Sequence, residues 1–207
     1  MDKKPGIIPV SKLFQERLIA YNGLDEKGFK EWVFSPAMLF SSHSKWWGDS
    51  GKRDKPHEGL DLCFYRNNEG DILYLDETTK VPVIFKGRIE KIVNDFLGIS
   101  AFVSHNDFMS DGNRLYTIYG HINPVDQVRQ GKTLNEGDII GTIADAWEKG
   151  GSIHSHLHIS AAWIPDTIHT HELGWQIIGD TTGIVLLNPL SIIECPYSIT
   201  DMSDLSK

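Results

Sequence analysis

Residues 154–163 read HSHLHISAAW, and polar and apolar side chains alternate along this stretch. Such alternation is typical of a β-strand with one face against a core. The polar face of this strand is predicted to carry His154, His156, His158 and Ser160. Imidazoles placed side by side are costly unless a metal ion or a carboxylate compensates for their charge. The pattern therefore favours a functional site over an ordinary strand surface.

Short β-rich segments of the same kind recur from residue 57 onward, separated by Gly, Asn and Asp turns. They lie at residues 57–64, 80–93, 99–105, 114–122 and 138–144. In the segment VRQGKTLNEGDIIGTI (128–143), glycines fall between apolar residues, as tight hairpins require. The spacing predicts an all-β fold with an antiparallel barrel or sandwich core.

The first 56 residues have a different pattern. Helical periodicity runs over residues 11–34, where Ser11 can cap a first helix and Asn22-Gly23 can end it. A second short helix is predicted from Asp25 to Phe34. We predict a helical N-terminal extension over 1–35, a surface loop over 36–56, a β domain over 57–197 and a tail over 198–207.

Composition narrows the classes of function. Lys and Arg total 20 against 28 Asp and Glu, a net charge of −8, so the basic surface that nucleic-acid and anionic-membrane binders need is missing. No stretch is apolar for long enough to span a membrane, and residues 1–10 lack the apolar core of a signal peptide. Two cysteines are too few for a disulfide framework. The nine histidines stand out, because histidine is the commonest metal ligand and acid–base group near neutral pH.

Two more histidines lie in contexts that suggest chemistry. His57 and Asp61, in HEGLD, point to one face if the segment is a strand, and Glu58 then faces away as a structural residue. His-x-x-x-Asp is common by chance, so alone it also fits a surface histidine and a turn aspartate. His121 is predicted to share a face with Tyr119 at the end of a strand, where a hydrogen-bonded structural role is equally open.

Taken in order, these motifs resemble the lysostaphin/LytM-type zinc metallopeptidases, a family of peptidoglycan endopeptidases. The matching residues are His57-x-x-x-Asp61, Thr117-x-Tyr119-x-His121, V-x-x-G-x-x-L-x-x-G-D-I-I-G over 128–141, His156-Leu157-His158 and Asn188-Pro189. An ordered series over about residues 57–190 is far more specific than any single motif. The resemblance implies a β core of the duplicated hybrid motif type.

The resemblance also implies the roles of five residues. His57, Asp61 and His158 correspond to the ligands of one zinc ion per chain, and His121 and His156 to two catalytic histidines. Two imidazoles and one carboxylate leave a fourth position for water, which is the arrangement of catalytic zinc. Histidines suit the proton transfers of hydrolysis and the stabilisation of an oxyanion, and the motifs leave the division of these tasks open.

The implied function is a zinc-dependent endopeptidase that hydrolyses peptide bonds in bacterial peptidoglycan cross-links or bridges. The alternative is a catalytically silent family member that regulates or binds another cell-wall hydrolase. Such a member is expected to lose one or more of the five positions, whereas this chain retains all of them. A carrier domain, which the 128–141 hairpin also resembles, would need a modifiable lysine at a hairpin tip.

A wall substrate implies a periplasmic or secreted location, while the lack of a signal peptide leaves the cytosol open. Oligomeric state is not predicted.

The chain departs from the family pattern before His156, where DAWEKGGSIHS (145–155) replaces a short Gly-rich turn and a proline. This segment adds Trp147 and His154; His154 and Tyr119 are candidate accessory residues. Trp46 and Trp47 are predicted either to form the floor of the cleft or to attach the long loop to the β domain. Residues 165–182 are longer than the family core requires, which suggests another cleft wall. Cys63 either lies near the site or is a buried thiol.

Overall fold

A computed structural model describes residues 7–48, 51–146 and 153–205. Trp147 lies outside these ranges. Helix α1 spans Leu13–Tyr21, and the short α2 spans Met202–Leu205. The strands, in chain order, are β1 (Phe29–Phe34), β2 (Leu60–Leu62), β3 (Phe64–Asn67), β4 (Ile72–Tyr74), β5 (Lys80–Pro82), β6 (Gly87–Asn94), β7 (Ile99–Ser110), β8 (Asn113–Pro124), β9 (Thr133–Leu134), β10 (Ile139–Ile143), β11 (Leu157–Pro165), β12 (Val185–Leu187) and β13 (Tyr197–Ile199).

Two sheets form the fold. The nine-stranded sheet runs β12-β11-β8-β7-β6-β9, with β2 added beside β11 and β10 joining β8 to β5. The smaller sheet has the order β13-β1-β3-β4. The prediction of an all-β, predominantly antiparallel sandwich-type fold with a short helix is confirmed; over the described ranges the sheets do not close into a barrel. None of the helices described is long and apolar enough to cross a membrane.

The N-terminal segment agrees with the sequence prediction only in part. The Ser11 hydroxyl accepts a hydrogen bond from the Phe14 amide (3.2 Å), and α1 ends just before Asn22, as expected. The second helix predicted over residues 25–34 is wrong. Phe29–Phe34 forms a strand that pairs with β3 and β13. Its aromatic and β-branched side chains favour a strand, and Trp32 packs edge-on against Phe29 and Tyr65. The division into extension, loop, domain and tail stays a prediction.

The middle of the large sheet determines where the site forms. Strand β11 lies between β2 and β8, so His158 has Asp61 as its neighbour on one side and Gly120 on the other. Immediately after Gly120, β8 exchanges its partner β11 for β10. Against β7, two residues of β8, Gly120 and His121, face the single residue Ser100, which makes this point a β-bulge. The motifs of three separate segments therefore meet at one edge of these strands.

Candidate active site

Three buried side chains converge at this edge of the sheet. Asp61 Oδ1 lies 3.1 Å from His57 Nε2 and 2.8 Å from His158 Nδ1, and the two nitrogens are 3.2 Å apart. His57 precedes β2 and is held by the loop before it, because its amide donates to the carbonyl of Ser42 (2.9 Å). The structure thus brings the three predicted ligands together, although strand alternation does not place His57, and their role as metal ligands stays a prediction.

The outer nitrogens of both histidines are already engaged. His57 Nδ1 donates to the Leu39 carbonyl (3.0 Å), and His158 Nε2 lies 2.9 Å from the Ser160 hydroxyl. A histidine that binds a metal commonly donates its second ring nitrogen in this way, which fixes the tautomer and directs the lone pair inward. Two nitrogens and one carboxylate oxygen are a donor set that zinc prefers. These three residues therefore fit a metal centre.

The second oxygen of Asp61 is held from the loop that precedes the β domain. Asp61 Oδ2 accepts a hydrogen bond from Trp46 Nε1 (2.7 Å) and lies 3.5 Å from Arg53 Nη2. Burial opposes ionisation of this carboxyl, but the neighbouring charge of His57 outweighs burial and holds its pKa well below the usual range. Asp61 is therefore a carboxylate, as metal binding requires.

Gly59 allows β2 to approach β11 closely enough for this cluster to form. A Cβ atom at residue 59 would lie 2.1 Å from the Ile159 carbonyl oxygen and 2.8 Å from His158 Nε2. No side chain fits in that space. The glycine of HEGLD is thus required by packing beside His158.

His156 and His121 lie next to the cluster, with their ring centroids 4.9 Å apart. His156 Nδ1 donates to the His154 carbonyl (2.8 Å), so Nε2 is the nitrogen left for the cleft. Burial is the main cause that lowers the pKa of His156 to about 3, and the charge of Asp61 opposes it. His156 is therefore a neutral imidazole whose Nε2 can accept a hydrogen bond.

His121 is oriented by a carboxylate that the sequence analysis missed. Asp95 Oδ1 accepts from His121 Nδ1 (3.1 Å), and Asp95 Oδ2 accepts from the His121 amide (2.9 Å) and from the Ser100 hydroxyl (2.5 Å). Burial alone would raise the pKa of Asp95, but these hydrogen bonds and the charge of His121 lower it. The side chain of His121 thus has Nδ1 engaged and Nε2 available to the cleft. The turn formed by residues 94–98 could be predicted from sequence, but its histidine partner, 26 residues away, could not.

Asp61, Asp95, His121, His156 and His158 line a cavity of about 330 Å³. Its walls also contain Trp47, Arg53, Glu58, Phe96 and Trp175. Trp175 belongs to the segment 165–182, so the predicted extra wall is present; its Nε1 donates to Ser100 Oγ (2.9 Å). Phe96 is 63% exposed and packs edge-on against His121 at the opening of the cavity, with the two ring centroids 4.7 Å apart. Among the described residues, the cavity combines three aromatic side chains with three histidines, three acids and Arg53.

Glu58 corrects one prediction. From the sequence, this residue is predicted to lie on a strand and to face away from the site. Strand β2 begins only at Leu60, so the alternation argument does not apply to residue 58. Glu58 instead lines the cavity.

The two candidate accessory residues are not brought to the cleft. The bulge at Gly120 and His121 breaks the alternation, so Tyr119 faces the core, where its hydroxyl accepts from the Ile84 amide (2.7 Å). His154 precedes β11, which begins at Leu157, and its ring packs against Phe64 and Tyr74.

The remaining alternatives are also resolved by contacts. Cys63 is a buried thiol that donates to the Ser155 carbonyl (3.5 Å), and burial raises its pKa well above the usual value. Trp46 holds Asp61 from behind, whereas Trp47 lines the cavity itself. The two tryptophans thus serve both of the roles considered for them.

Comparison with solved structures finds several similar chains at low identity. Helicobacter pylori Csd3 is 16% identical with a TM-score of 0.43, over 86% of this chain and 38% of Csd3. Lysostaphin is 18% identical with a TM-score of 0.40, over 68% of this chain and 51% of the other. A mutant catalytic domain of the prophage-encoded M23 protein EnpA from Enterococcus faecalis is 16% identical with a TM-score of 0.36, over 68% of this chain and 95% of that domain.

The chain spans about two fifths of the Csd3 chain and about half of the lysostaphin chain. No protein-family model matches the sequence, and no curated protein matches it. The family that the sequence motifs resemble is nevertheless represented among the similar structures. At these identities and TM-scores no residue role can be transferred from them, so roles must follow from the site itself.

Proposed function

We propose that this protein is a zinc-dependent endopeptidase that hydrolyses peptide bonds in bacterial peptidoglycan cross-links or bridges. The observation that supports the proposal most strongly is the convergence of His57 Nε2, Asp61 Oδ1 and His158 Nδ1 within 3.2 Å of one another, beside two further histidines. A buried trio with this donor chemistry has little structural use, because burying polar groups is costly. Asp61 and His158 of this trio line an open cleft, an arrangement that suits a metal-assisted hydrolase.

His57, Asp61 and His158 would hold one zinc ion per chain. Zinc held by these residues would polarise a peptide carbonyl and would lower the pKa of a bound water molecule towards about 7. The residues of the chain orient the proposed ligands and carry out the proton transfers. Ser160 and the Leu39 carbonyl keep the ligand histidines in the required tautomers.

The proton transfers are assigned to His121 and His156. Each has Nδ1 engaged by an acceptor, which leaves Nε2 to take a proton from the attacking water or to return one to the leaving amine. Asp95 stabilises positive charge on His121 during this transfer, as the aspartate of a catalytic triad does for its histidine. The aromatic walls exclude water from the reacting groups and contact the peptide.

The proposal is tested on the purified full chain by measuring zinc content and by digesting several peptidoglycan chemotypes, with mass spectrometry of the products. Substitution of His57, Asp61 or His158 by alanine is expected to abolish stoichiometric zinc binding. His121→Ala and His156→Ala are expected to retain zinc and to lose at least 100-fold in turnover, roughly the contribution of general acid–base catalysis. His171→Ala, an exposed histidine outside the cavity, is the matched control.

Two results would contradict the proposal in different ways. Failure of the wild-type protein to bind zinc after reconstitution would remove the metal assignment. Stoichiometric zinc without hydrolysis of any chemotype would favour the catalytically silent regulator. An active enzyme would act at the cell envelope, so we further propose a periplasmic or secreted location, which fractionation of the source cells would test.

A further inference from the structure

Arg53 is a cationic side chain in the wall of the cleft. Its side chain is only 13% exposed and lines the same cavity as His156 and His158. Among the described residues of that lining, it is the one Lys or Arg. Nε donates to the Ser44 carbonyl (3.1 Å), and the guanidinium carbon lies 4.4 Å above the ring of Trp47. The aromatic ring and the carbonyl fix the plane of the guanidinium before any ligand arrives.

The charge of this guanidinium is only partly used within the protein. Among the described residues, the carboxylate oxygen nearest to it is Asp61 Oδ2, 3.5 Å from Nη2, and this oxygen already accepts a hydrogen bond of 2.7 Å from Trp46 Nε1. Nη2 makes a second long contact of 3.4 Å to the Ala37 carbonyl, and Nη1 makes no hydrogen bond to the described residues. Burial lowers the pKa of Arg53, although the charges of Asp61 and Glu58 act to raise it. Donor capacity thus remains for an anion from outside.

We propose that Arg53 binds a carboxylate of the substrate, and that the enzyme selects peptides with a free carboxylate beside the scissile bond. This inference rests on the proposed function. Oδ1 of Asp61 faces the two proposed ligand histidines, and Oδ2 of the same carboxylate faces Arg53. Only the Asp61 carboxylate therefore separates the guanidinium from the proposed metal centre. When the scissile bond lies at the metal centre, only a carboxylate on a residue next to that bond is near enough to reach Arg53. The residue that contributes the leaving amine is the natural carrier, whether it ends the peptide or forms part of a cross-link.

A purely structural role for Arg53, as counter-ion of Asp61, makes a different prediction. It would affect every substrate equally, because it would act through the metal-binding carboxylate. Binding of a substrate carboxylate affects only substrates that carry one. An arginine fork matches a carboxylate with two parallel hydrogen bonds, and Lys supplies charge without that geometry.

The experiment compares two cross-linked stem-peptide substrates that differ only in a free carboxylate or a carboxamide on the residue with the leaving amine. The wild-type enzyme is expected to favour the acid by roughly 10- to 100-fold in kcat/KM, the usual contribution of a hydrogen bond to a charged group. Arg53→Gln should reduce this preference towards unity, mainly through KM, and Arg53→Lys should restore part of it. Arg129→Gln, which removes an exposed arginine, is the matched control and should retain the full preference.

Zinc content and thermal unfolding of each variant are measured in parallel. Calorimetric titration of the wild-type protein with the acid and amide forms of the amine-side product tests the same contact without any variant. Equal turnover of acid and amide by the wild type, or a proportional loss on both substrates in Arg53→Gln, would overturn the role of Arg53 and leave the peptidase intact. A zinc-loaded wild type that cleaves neither substrate and no peptidoglycan would instead overturn the proposed function, and this inference with it.

Discussion

The substitution Asp95→Asn tests whether the carboxylate behind His121 supports catalysis. Asp95 accepts five hydrogen bonds in the structure. Oδ1 accepts from the amides of Leu97 (2.9 Å) and Gly98 (2.7 Å) and from His121 Nδ1 (3.1 Å), and Oδ2 accepts from the His121 amide and from Ser100. Asparagine has nearly the same shape but offers a single acceptor oxygen. It can keep the three bonds at Oδ1 only by placing its NH2 group against the His121 amide.

Two effects of known size follow from that geometry. The NH2 group opposite the His121 amide leaves a buried donor without an acceptor, which costs about 1 to 3 kcal/mol of stability. In a chain of this length each kcal/mol lowers Tm by about 2 to 4 °C. The bond to His121 Nδ1 persists with an uncharged acceptor, and a charge-assisted hydrogen bond is about twice as strong as a neutral one. Loss of charge stabilisation and displacement of the ring together are expected to lower kcat/KM roughly 10- to 100-fold.

The assay is peptidoglycan hydrolysis at saturating zinc, with zinc content and Tm measured on the same preparation. Zinc content should remain stoichiometric, because the hydrogen bonds that Asp95 makes to described residues do not involve the proposed zinc ligands His57, Asp61 and His158. The pKa of Asp95 is lowered in the folded protein, so its stabilising contribution is present above about pH 4 and is lost as the pH falls further. The stability difference between wild type and variant should therefore shrink in acid. The control is Asp126→Asn on the exposed surface. Wild-type kcat/KM in Asp95→Asn would refute the positioning role.

Two other perturbations test how the fold supports the site. His105, buried between the Lys86 carbonyl and Thr117, has its pKa lowered to about 4, mainly by burial, so the unfolded chain takes up the proton first. The free energy of unfolding should fall by up to about 3 kcal/mol as the pH drops from about 6.5 to 4. Urea unfolding of His105→Gln should not show this pH-dependent loss. The same pH dependence in the variant as in the wild type would contradict the assignment. Gly59→Ala should lower the free energy of unfolding by about 1 to 3 kcal/mol or more, because the added Cβ would overlap the Ile159 carbonyl. It should also weaken zinc binding, because the same Cβ would press on His158. Gly174→Ala, where the Cβ would meet the flexible end of Gln176, is the control, and equal Tm and zinc affinity in the two variants would count against the packing argument.

The candidate pair His57 and Asp61 and the histidine-rich strand could be found from sequence because their signals are local, whereas the family resemblance implied that His158 completes the ligand set. His57 and Asp61 are four residues apart, and His158 lies on a strand of clear alternation. Local spacing of this kind survives even where the assumed backbone is inaccurate, as it was for His57, which precedes β2. The same inaccuracy placed Glu58 on the wrong side of the chain.

Asp95, Arg53 and Trp175 could not be assigned in this way. Each comes from a different connecting segment, and each meets its partner only after the sheet has formed: Asp95 at His121, Arg53 at Asp61 and Trp175 at Ser100. A carboxylate in a turn or a tryptophan in a long loop has no periodicity that identifies its partner. Contacts between connections of a sheet depend on strand order and register.

By itself, the sequence determined the all-β class, a first helix that begins near Ser11 and ends at Asn22-Gly23, and the pairing of His57 with Asp61, since these depend on residue periods and short spacings. His158 joined that pair only through the family resemblance. The tertiary structure alone decided which side chains enter the cleft. The bulge at Gly120 and His121 turns Tyr119 into the core and releases His121 to Asp95, a reversal of faces that two-residue alternation cannot predict. The physical reason is that a side chain's face is counted along one strand, whereas a bulge arises from pairing between strands.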